Sequence, residues 1–456
     1  VTTKLALSIA GAAMHTRQAI ERVVDLTDPG RNVLFNMSVD EARALVASGD
    51  ADAVRRIDGQ FALVATSGQV VRLARSIGRP LRYFIAKRAA GPALIAADRI
   101  DAIHKHLAAE GLADQFHPSY TRMVPAHHVT EVALVGCPDP NPIYRRFFAP
   151  ERNALPADLD GIGRAYVGAL FDEVCKWLRH RAMDGSVGVC FSGGIDSGSV
   201  FLVTYHAMLR LGMNPSRLKA FTLVVGDGGP DLDRARRFLE ALDLGLFLEP
   251  IEVPAAAVNW LEAIRVVEDY KPLDIQSAAM ALALCRGIRA RYPDWRYLID
   301  GDGGDENLKD YPIEENPELT IRSVLNNRML YQEGWGVDSI KHSLTYSGGL
   351  SRGYARTYAP AAVCGFDGFS PYTLPNVTQV AEGIPFIELT DWDHERLYRL
   401  KGDIVARGVE QITGLTMPVF EKCRFQHGAP PRAAVAELFP ATETAYRRAF
   451  HALYES

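Results

Sequence analysis

Short apolar runs separated by turn residues fill the first 150 positions. LALSIA (5–10), NVLFNM (32–37), FALVAT (61–66), VVRLAR (70–75), ALIAA (93–97) and EVALVG (131–136) read as strands, with Gly30, Gly59, Gly68 and Gly91 between them. Helical spacing interrupts at 16–24 and 39–48, which gives an α+β pattern of sheets packed on each other or on helices. A polar, Pro-containing stretch, APERNALPADLDG (149–161), reads as a linker. Beyond it the pattern changes. An amphipathic helix over 159–181 carries Ile162, Tyr166, Leu170 and Val174 at helical spacing. Strands at 187–191, 218–225, 246–253 and 296–300 then alternate with helices that begin near Ser197 and span 231–242 and 276–291. That alternation predicts a parallel sheet with helices on both faces. From about 315 the chain reads as mainly helical with long loops. The expected organisation is an α+β domain over 1–150 and an α/β domain over 157–456.

Composition agrees with two cores. The chain has 456 residues, of which 48% are hydrophobic and 23% charged, ordinary for two globular domains. The net charge of −5, with no Lys/Arg run, argues against a nucleic-acid partner. No apolar run is long enough to span a bilayer. Lys4 followed by LALSIAGAAM reads either as a short signal peptide or as a first strand turning at Gly11; the single positive charge and weak apolar core favour the strand. Cys137, Cys175, Cys190, Cys285, Cys364 and Cys423 form no C-x-x-C pair, as expected for reduced core cysteines in a cytoplasmic protein. The glycosylation triplets at Asn36 and Asn376 carry no meaning in that compartment.

The sharpest chemical signal is SGGIDSG (192–198), between an apolar strand and a helix. Two glycines let backbone N–H groups turn inward and approach an anion, and the helix N-terminus behind them adds a positive dipole end. Ser192 and Ser197 add hydroxyl donors. Asp196 would repel a bare phosphate, so it makes sense with Mg²⁺ between them. No Gly-Lys-Ser/Thr follows, so this is not a Walker A loop. The plainer reading is a Gly-rich turn capped by Ser or Asp. DGDGGDE (300–306) follows the strand RYLID and places acidic groups on a glycine loop at a strand end, suited to Mg²⁺ or to an acidic solvent loop.

Taken in order, these segments resemble the asparagine synthetase and β-lactam synthetase family. SGGIDSG matches the SGGxDS loop of ATP pyrophosphatases, which implies ATP cleavage between the α and β phosphates and a pyrophosphate cradle of Ser192, Gly193, Gly194, Asp196 and Ser197. Residues 218–245 resemble the family's second strand and helix, so the backbone at Leu223 and Val224 would read adenine. DGDGGDE resembles SGEGSDE. The resemblance implies Gly301 beside the nucleotide, Asp302 at the family's Glu position, and Asp196 and Asp305 as ligands of two magnesium ions. TMPVFEKCRFQHG (416–428) resembles the late K-x-x-F-x-x-G segment through Lys422, Phe425 and Gly428, with Lys422 as the main catalytic cation. Residues 275–278 fall where a family segment approaches the nucleotide. GFDGFSPYT (365–373) resembles G-x-E-A-R-x-P-F-L, with Asp367 for Glu and Phe369 for Arg. Asp302, Glu306 and Asp367 are the candidate bases for the incoming amine.

Residues 57–86 resemble the core of a class II glutamine amidotransferase, an N-terminal nucleophile (Ntn) hydrolase whose first residue must be cysteine. LSIAG (7–11) resembles the family's C-G-I-x-G with Leu7 where cysteine belongs; residue 1 is Val1, and the first cysteine is Cys137. The expectation is an Ntn-like sandwich that is a degenerate glutaminase, followed by a PP-loop synthetase domain using ATP and Mg²⁺. The domain kept without its cysteine is similar to the β-lactam and carbapenam synthetases of natural-product biosynthesis, which close rings within one molecule. Those enzymes have Tyr at the Asp302 position and asparagine synthetases have Glu, so Asp302 leans towards amide formation between molecules. The expected partners are a small-molecule or peptide carboxylate and an amine, with no nucleic acid and no membrane, and a homodimer as one option. Two rivals differ in kind. A PP-loop thiolase or tRNA-modifying enzyme needs catalytic cysteines and a basic face; a regulatory pseudo-synthetase would have lost the phosphate residues, all of which are present.

Overall fold

The computed structural model describes residues 20–87, 92–134, 141–314, 319–333, 349–420, 428–431 and 435–455. The N-terminal region contributes β1 (Arg22–Asp25), β2 (Val33–Leu34), β3 (Gly59–Gln60), β4 (Ala62–Ser67), β5 (Val70–Arg75), β6 (Arg82–Ala86), β7 (Ala93–Ala97), β8 (Arg122–Met123), β9 (His128–Ala133) and β10 (Ile143–Arg146). They form two four-stranded sheets, ordered β1-β7-β6-β8 and β10-β9-β5-β4, plus the β2-β3 pair.

Alternation along each strand builds the layers. Ala62, Val64, Val71, Leu73 and Val132 of one sheet meet Tyr83, Leu94 and Ala96 of the other in a shared core. Their neighbours Leu63, Ala65, Ala74 and Val129 face the helix Val39–Ser48. Phe84, Ile95 and Ala97 face the helix Ile100–Ala109. The order is helix, sheet, sheet, helix. A capping box between Ser38 and Glu41 starts the first helix, and Gly49 in the left-handed region ends it.

One expectation fails here. The helix expected at 16–24 is a strand where it is described: Arg22–Asp25 pairs parallel with β7. The β-branched pair Val23 and Val24 completes the sheet edge, and ladder bonds outweigh a short helical periodicity. The strand expected at 5–10, Val1 and Leu7 lie outside the described residues.

The C-terminal region contains β11 (Val187–Cys190), β12 (Leu218–Val225), β13 (Leu248–Val253), β14 (Tyr297–Ile299) and β15 (Asp367–Phe369). All pairs are parallel, in the order β13-β12-β11-β14-β15. The chain runs outward from β11 to β13, then returns to β14 on the other side of β11. Such a reversal opens a crevice at the strands' carboxyl ends. The loops after β11 and β14 therefore lie side by side although over 100 residues separate them in sequence.

Helix Leu159–Trp177 starts on the Asp158 cap and continues into a π-turn, Leu178–Ala182. Helix His394–Thr413 crosses it at Gly163 and Gly408. A Cβ on Gly163 would come within 2.8 Å of the Ile404 carbonyl oxygen, so the backbones touch. Residues 149–158 contain no helix or strand, but they are held. Arg152 donates to the carbonyls of Leu325 and Asn326, and the Leu155 N–H donates to Gly383 at 2.9 Å. Among the described residues no helix is long and apolar enough to cross a membrane.

Candidate functional site

The phosphate loop leaves β11 and enters helix Ile195–Arg210. Gly193 takes φ +70, and a Cβ there would sit 2.8 Å from the Ala235 backbone nitrogen, so glycine is needed twice over. The helix cap is Gly194, which has no side chain with which to bond the first N–H groups. A helix start of this kind, with its dipole, suits an anion. Ser197 Oγ accepts from the Ser192 N–H at 3.2 Å and stands 3.2 Å from Ser192 Oγ, which holds both hydroxyls at the loop.

The acidic loop follows β14. A Cβ on Gly301 would lie 2.7 Å from the Asp196 carbonyl carbon, and one on Gly304 would collide with the Asp196 carboxylate. Glycines here let the two loops touch. The contact brings Asp196 and Asp305 together, and both bind one ammonium: Lys401 Nζ donates to Asp196 Oδ2 at 2.6 Å and also to Asp305 Oδ1, with Asp310 at 3.3 Å. Burial would lower the Lys401 pKa, but the three carboxylates outweigh it and hold the group charged. Lys401 was not among the residues singled out by sequence, yet it is the cation at the centre of the site.

Asp302 lies on this same loop, three residues before Asp305. It is buried, and Arg356 Nη1 donates to its Oδ1 at 2.5 Å. Its Oδ2 is buried with no hydrogen-bond partner among the described residues, an acceptor able to take an N–H. Burial pushes the Asp302 carboxyl up to about 6; Arg356 opposes the rise, and Glu306 and Asp305 add to it. Glu306 accepts from the Tyr311 hydroxyl at 2.6 Å, with Arg352 Nε at 3.8 Å. Arg352 also donates to Asp274 at 2.8 Å.

Asp367 does not join the group. It opens β15 opposite Tyr297, at the amino-terminal edge of the sheet, where it pairs with Arg296 at 3.1 Å and Arg181 at 3.4 Å. The candidate site is at the other edge, so Asp367 is corrected from candidate base to structural ion-pair partner. Phe369, standing where the family has Arg, stacks on Trp177 with centroids 4.9 Å apart. The guanidinium groups near the acidic loop come instead from Arg352 and Arg356.

Leu223 and Val224 are buried near the carboxyl end of β12. The next residue, Val225, donates its N–H to the Ala429 carbonyl at 3.3 Å. Residues 428–431 are therefore anchored beside β12. Gly428 is required there, because a Cβ would collide with the Asp231 carboxylate. Lys422 and Phe425 lie outside the described residues.

Residues 178–352 match the family model described as asparagine synthase. The matched span covers β11 to β14, both loops and Arg352; Arg356 and Lys401 lie beyond it. No curated protein matches the chain. The match supports, in general terms, an ATP-dependent ligase that forms C–N bonds.

Proposed function

We propose that this chain activates a carboxylate as an acyl-adenylate, releases pyrophosphate, and couples the acyl group to ammonia or a substrate amine without hydrolysing glutamine. The observation that carries the reading is the meeting of two loops at adjacent strand ends: an uncapped helix N-terminus on Gly193–Gly194, and a carboxylate loop built against it. A substrate carboxylate oxygen attacks the α-phosphorus and the α–β phosphoanhydride bond breaks. Pyrophosphate leaves into the backbone N–H groups after Gly193, with Ser192 and Ser197 as hydroxyl donors. The amine nitrogen then attacks the acyl carbon, AMP departs, and Asp302 Oδ2 accepts the amine's proton.

The residues present fit magnesium. It takes one or two protein carboxylates plus phosphate oxygens, and the carboxylates of Asp196 and Asp305 already converge on one cationic centre, the Lys401 ammonium. Asp196 and Asp305 would hold it, and it would neutralise phosphate charge. Lys422 is the proposed catalytic cation, supported by the docking of Gly428 and Ala429, a few residues on, beside β12.

Glutamine independence rests on Leu7 in LSIAG, where the resemblance calls for cysteine. The helix–sheet–sheet–helix layering supports reading the N-terminal region as amidotransferase-like. The same lost cysteine also favours ring closure within one molecule; a product that is the substrate minus water, formed without added amine, selects that reading. The test is nucleotide chromatography after turnover with a panel of amino acids and peptides. AMP and pyrophosphate are expected, and ADP with phosphate refutes the adenylate route. Glutamate released from glutamine at an enzyme-like rate refutes glutamine independence.

A further inference from the structure

The carboxylates on the amine side are held by arginines of one segment, 349–358, and that segment is clamped by the N-terminal region. Its residues Tyr354–Tyr358 form a π-turn, a winding often found at functional sites. Residues two apart on such a turn point to nearly opposite sides. Arg352 and Arg356 reach Asp274, Glu306 and Asp302. Tyr354 and Tyr358, stacked at 5.6 Å, face the N-terminal sheets, where the Arg79 guanidinium lies 4.8 Å over the Tyr358 ring.

The backbone is fixed from the same side. Arg75 Nη2 donates to the Gly349 carbonyl at 2.6 Å, and the Ser351 N–H donates to the Ile77 carbonyl at 2.9 Å. Arg75 is fully buried and also donates to the carbonyls of Val124 and Arg79, so it cannot swing away. Gln60 Nε2 reaches Thr373 Oγ1 at 3.2 Å, just beyond β15. Close packing makes the clamp stiff. A Cβ on Gly368 would lie 2.6 Å from Thr357 Cγ2, and one on Gly353 would strike Ser370. The segment is thus wedged between β15 and the turn after β5. The phosphate-side cation is braced differently, on helix His394–Thr413 against helix Leu159–Trp177.

We infer that Arg75, with the turn 76–81 after it, is a positioning element for the amide-forming step: it fixes the segment whose Arg352 and Arg356 set the Asp302 and Glu306 carboxylates. The N-terminal region thereby serves the second half-reaction and not the first. This rests on the adenylating reading above, and the two half-reactions separate them. ATP–pyrophosphate exchange reads carboxylate activation; amide product reads the step governed by Asp302.

The experiment compares the full-length wild type with Arg75→Met, Arg75→Lys and Gln60→Ala. Arg75→Met should keep exchange within about twofold while amide formation falls about tenfold, the scale that losing the one bond to the 349–358 segment, at Gly349, supports. Arg75→Lys should recover part of the loss. Amide exchange with deuterium should rise at 349–358 in Arg75→Met. If Arg75→Met does not fold, Gln60→Ala, which removes only the bond to Thr373, must show the same split at smaller size. Exchange and amide formation falling together, in step with melting temperature, overturns the positioning role alone. A wild type that shows no exchange with any carboxylate overturns the ligase reading itself.

Discussion

Replacing Lys401 with Met keeps the volume and removes the charge, leaving Asp196, Asp305 and Asp310 facing one another around an apolar tip. Lys401 is 3% exposed and its partners between 14% and 29%, so this is a buried cation with part-wetted anions. Removing one partner of a fully buried pair costs about 3–5 kcal/mol. Water reaching the carboxylates places this case at the low end, about 3 kcal/mol. At about 2 °C per kcal/mol for a large domain, the melting temperature should fall by roughly 6 °C. The variant should also become responsive to metal. Three carboxylates that have lost their ammonium form a stronger divalent-cation site, and magnesium at tenfold its dissociation constant returns about 1.4 kcal/mol. Scanning calorimetry with and without MgCl₂ measures both effects. A Lys401→Met protein that melts within about 1 °C of the wild type, with the same magnesium response, refutes the reasoning.

Amide formation should fall as pH drops through about 6, because only ionised Asp302 accepts the amine's proton. Arg356→Gln removes a charge that favours ionisation, so its acid limb should move to higher pH; a limb that stays in place counts against Asp302 as the base. Glu333 ties the regions together through His127 and Arg146. Burial alone would raise its carboxyl, but those two partners outweigh it and hold it at about 2, below the ordinary 4.5. A lowered folded value stabilises above the unfolded value, so this contribution, roughly 3 kcal/mol, is complete above pH 4.5 and lost as pH falls through about 2. Glu333→Gln should flatten the stability profile across that window, and an unchanged acid-unfolding curve would contradict it. Lys422→Ala should lower kcat by about 10²–10³ with a far smaller change in ATP affinity, as for a contact strongest in the transition state. Near-normal turnover removes the late segment from the active site.

The two loops were legible because their signal is local: glycines that suit a backbone approaching an anion, acids that suit a bound cation. Strand positions such as 70–75, 93–97 and 218–225 were legible from periodicity. That the loops touch was not, since it depends on β14 returning beside β11. Lys401 left a signal that went unread. It lies in the apolar stripe of its helix with Leu397, Leu400, Ile404 and Val405, and a lysine inside such a stripe needs a buried partner. Arg352 and Arg356 carried no signal, because nothing local marks a segment that becomes a wedge between two regions. Asp367 was misplaced because motif order ignores which end of a strand a residue occupies.

The charge balance of the assembled site makes one more demand. Among the described residues seven carboxylates lie at it, Asp196, Asp274, Asp300, Asp302, Asp305, Glu306 and Asp310, together with three cations, Lys401, Arg352 and Arg356. Fully ionised, these groups carry four more negative than positive charges, beside the loop proposed to hold phosphates. Burial relieves part of the excess by holding Asp274 and Asp302 at about 6. Unit charges 4 Å apart still repel by about 4 kcal/mol at an effective dielectric constant of 20. A triphosphate entering alone meets that repulsion, whereas one that arrives with a divalent cation turns the Asp196 and Asp305 terms attractive. ATP affinity should therefore depend on magnesium far more than the backbone cradle alone would suggest. Calorimetric titration of ATP in excess magnesium and in EDTA should differ by at least about tenfold, or 1.4 kcal/mol. Asp196→Asn should narrow that gap, because it weakens the metal-bound complex and relieves the repulsion felt by bare ATP. Equal affinity with and without magnesium would mean that the phosphates do not approach these carboxylates, and the placement of ATP at the two loops would have to be given up.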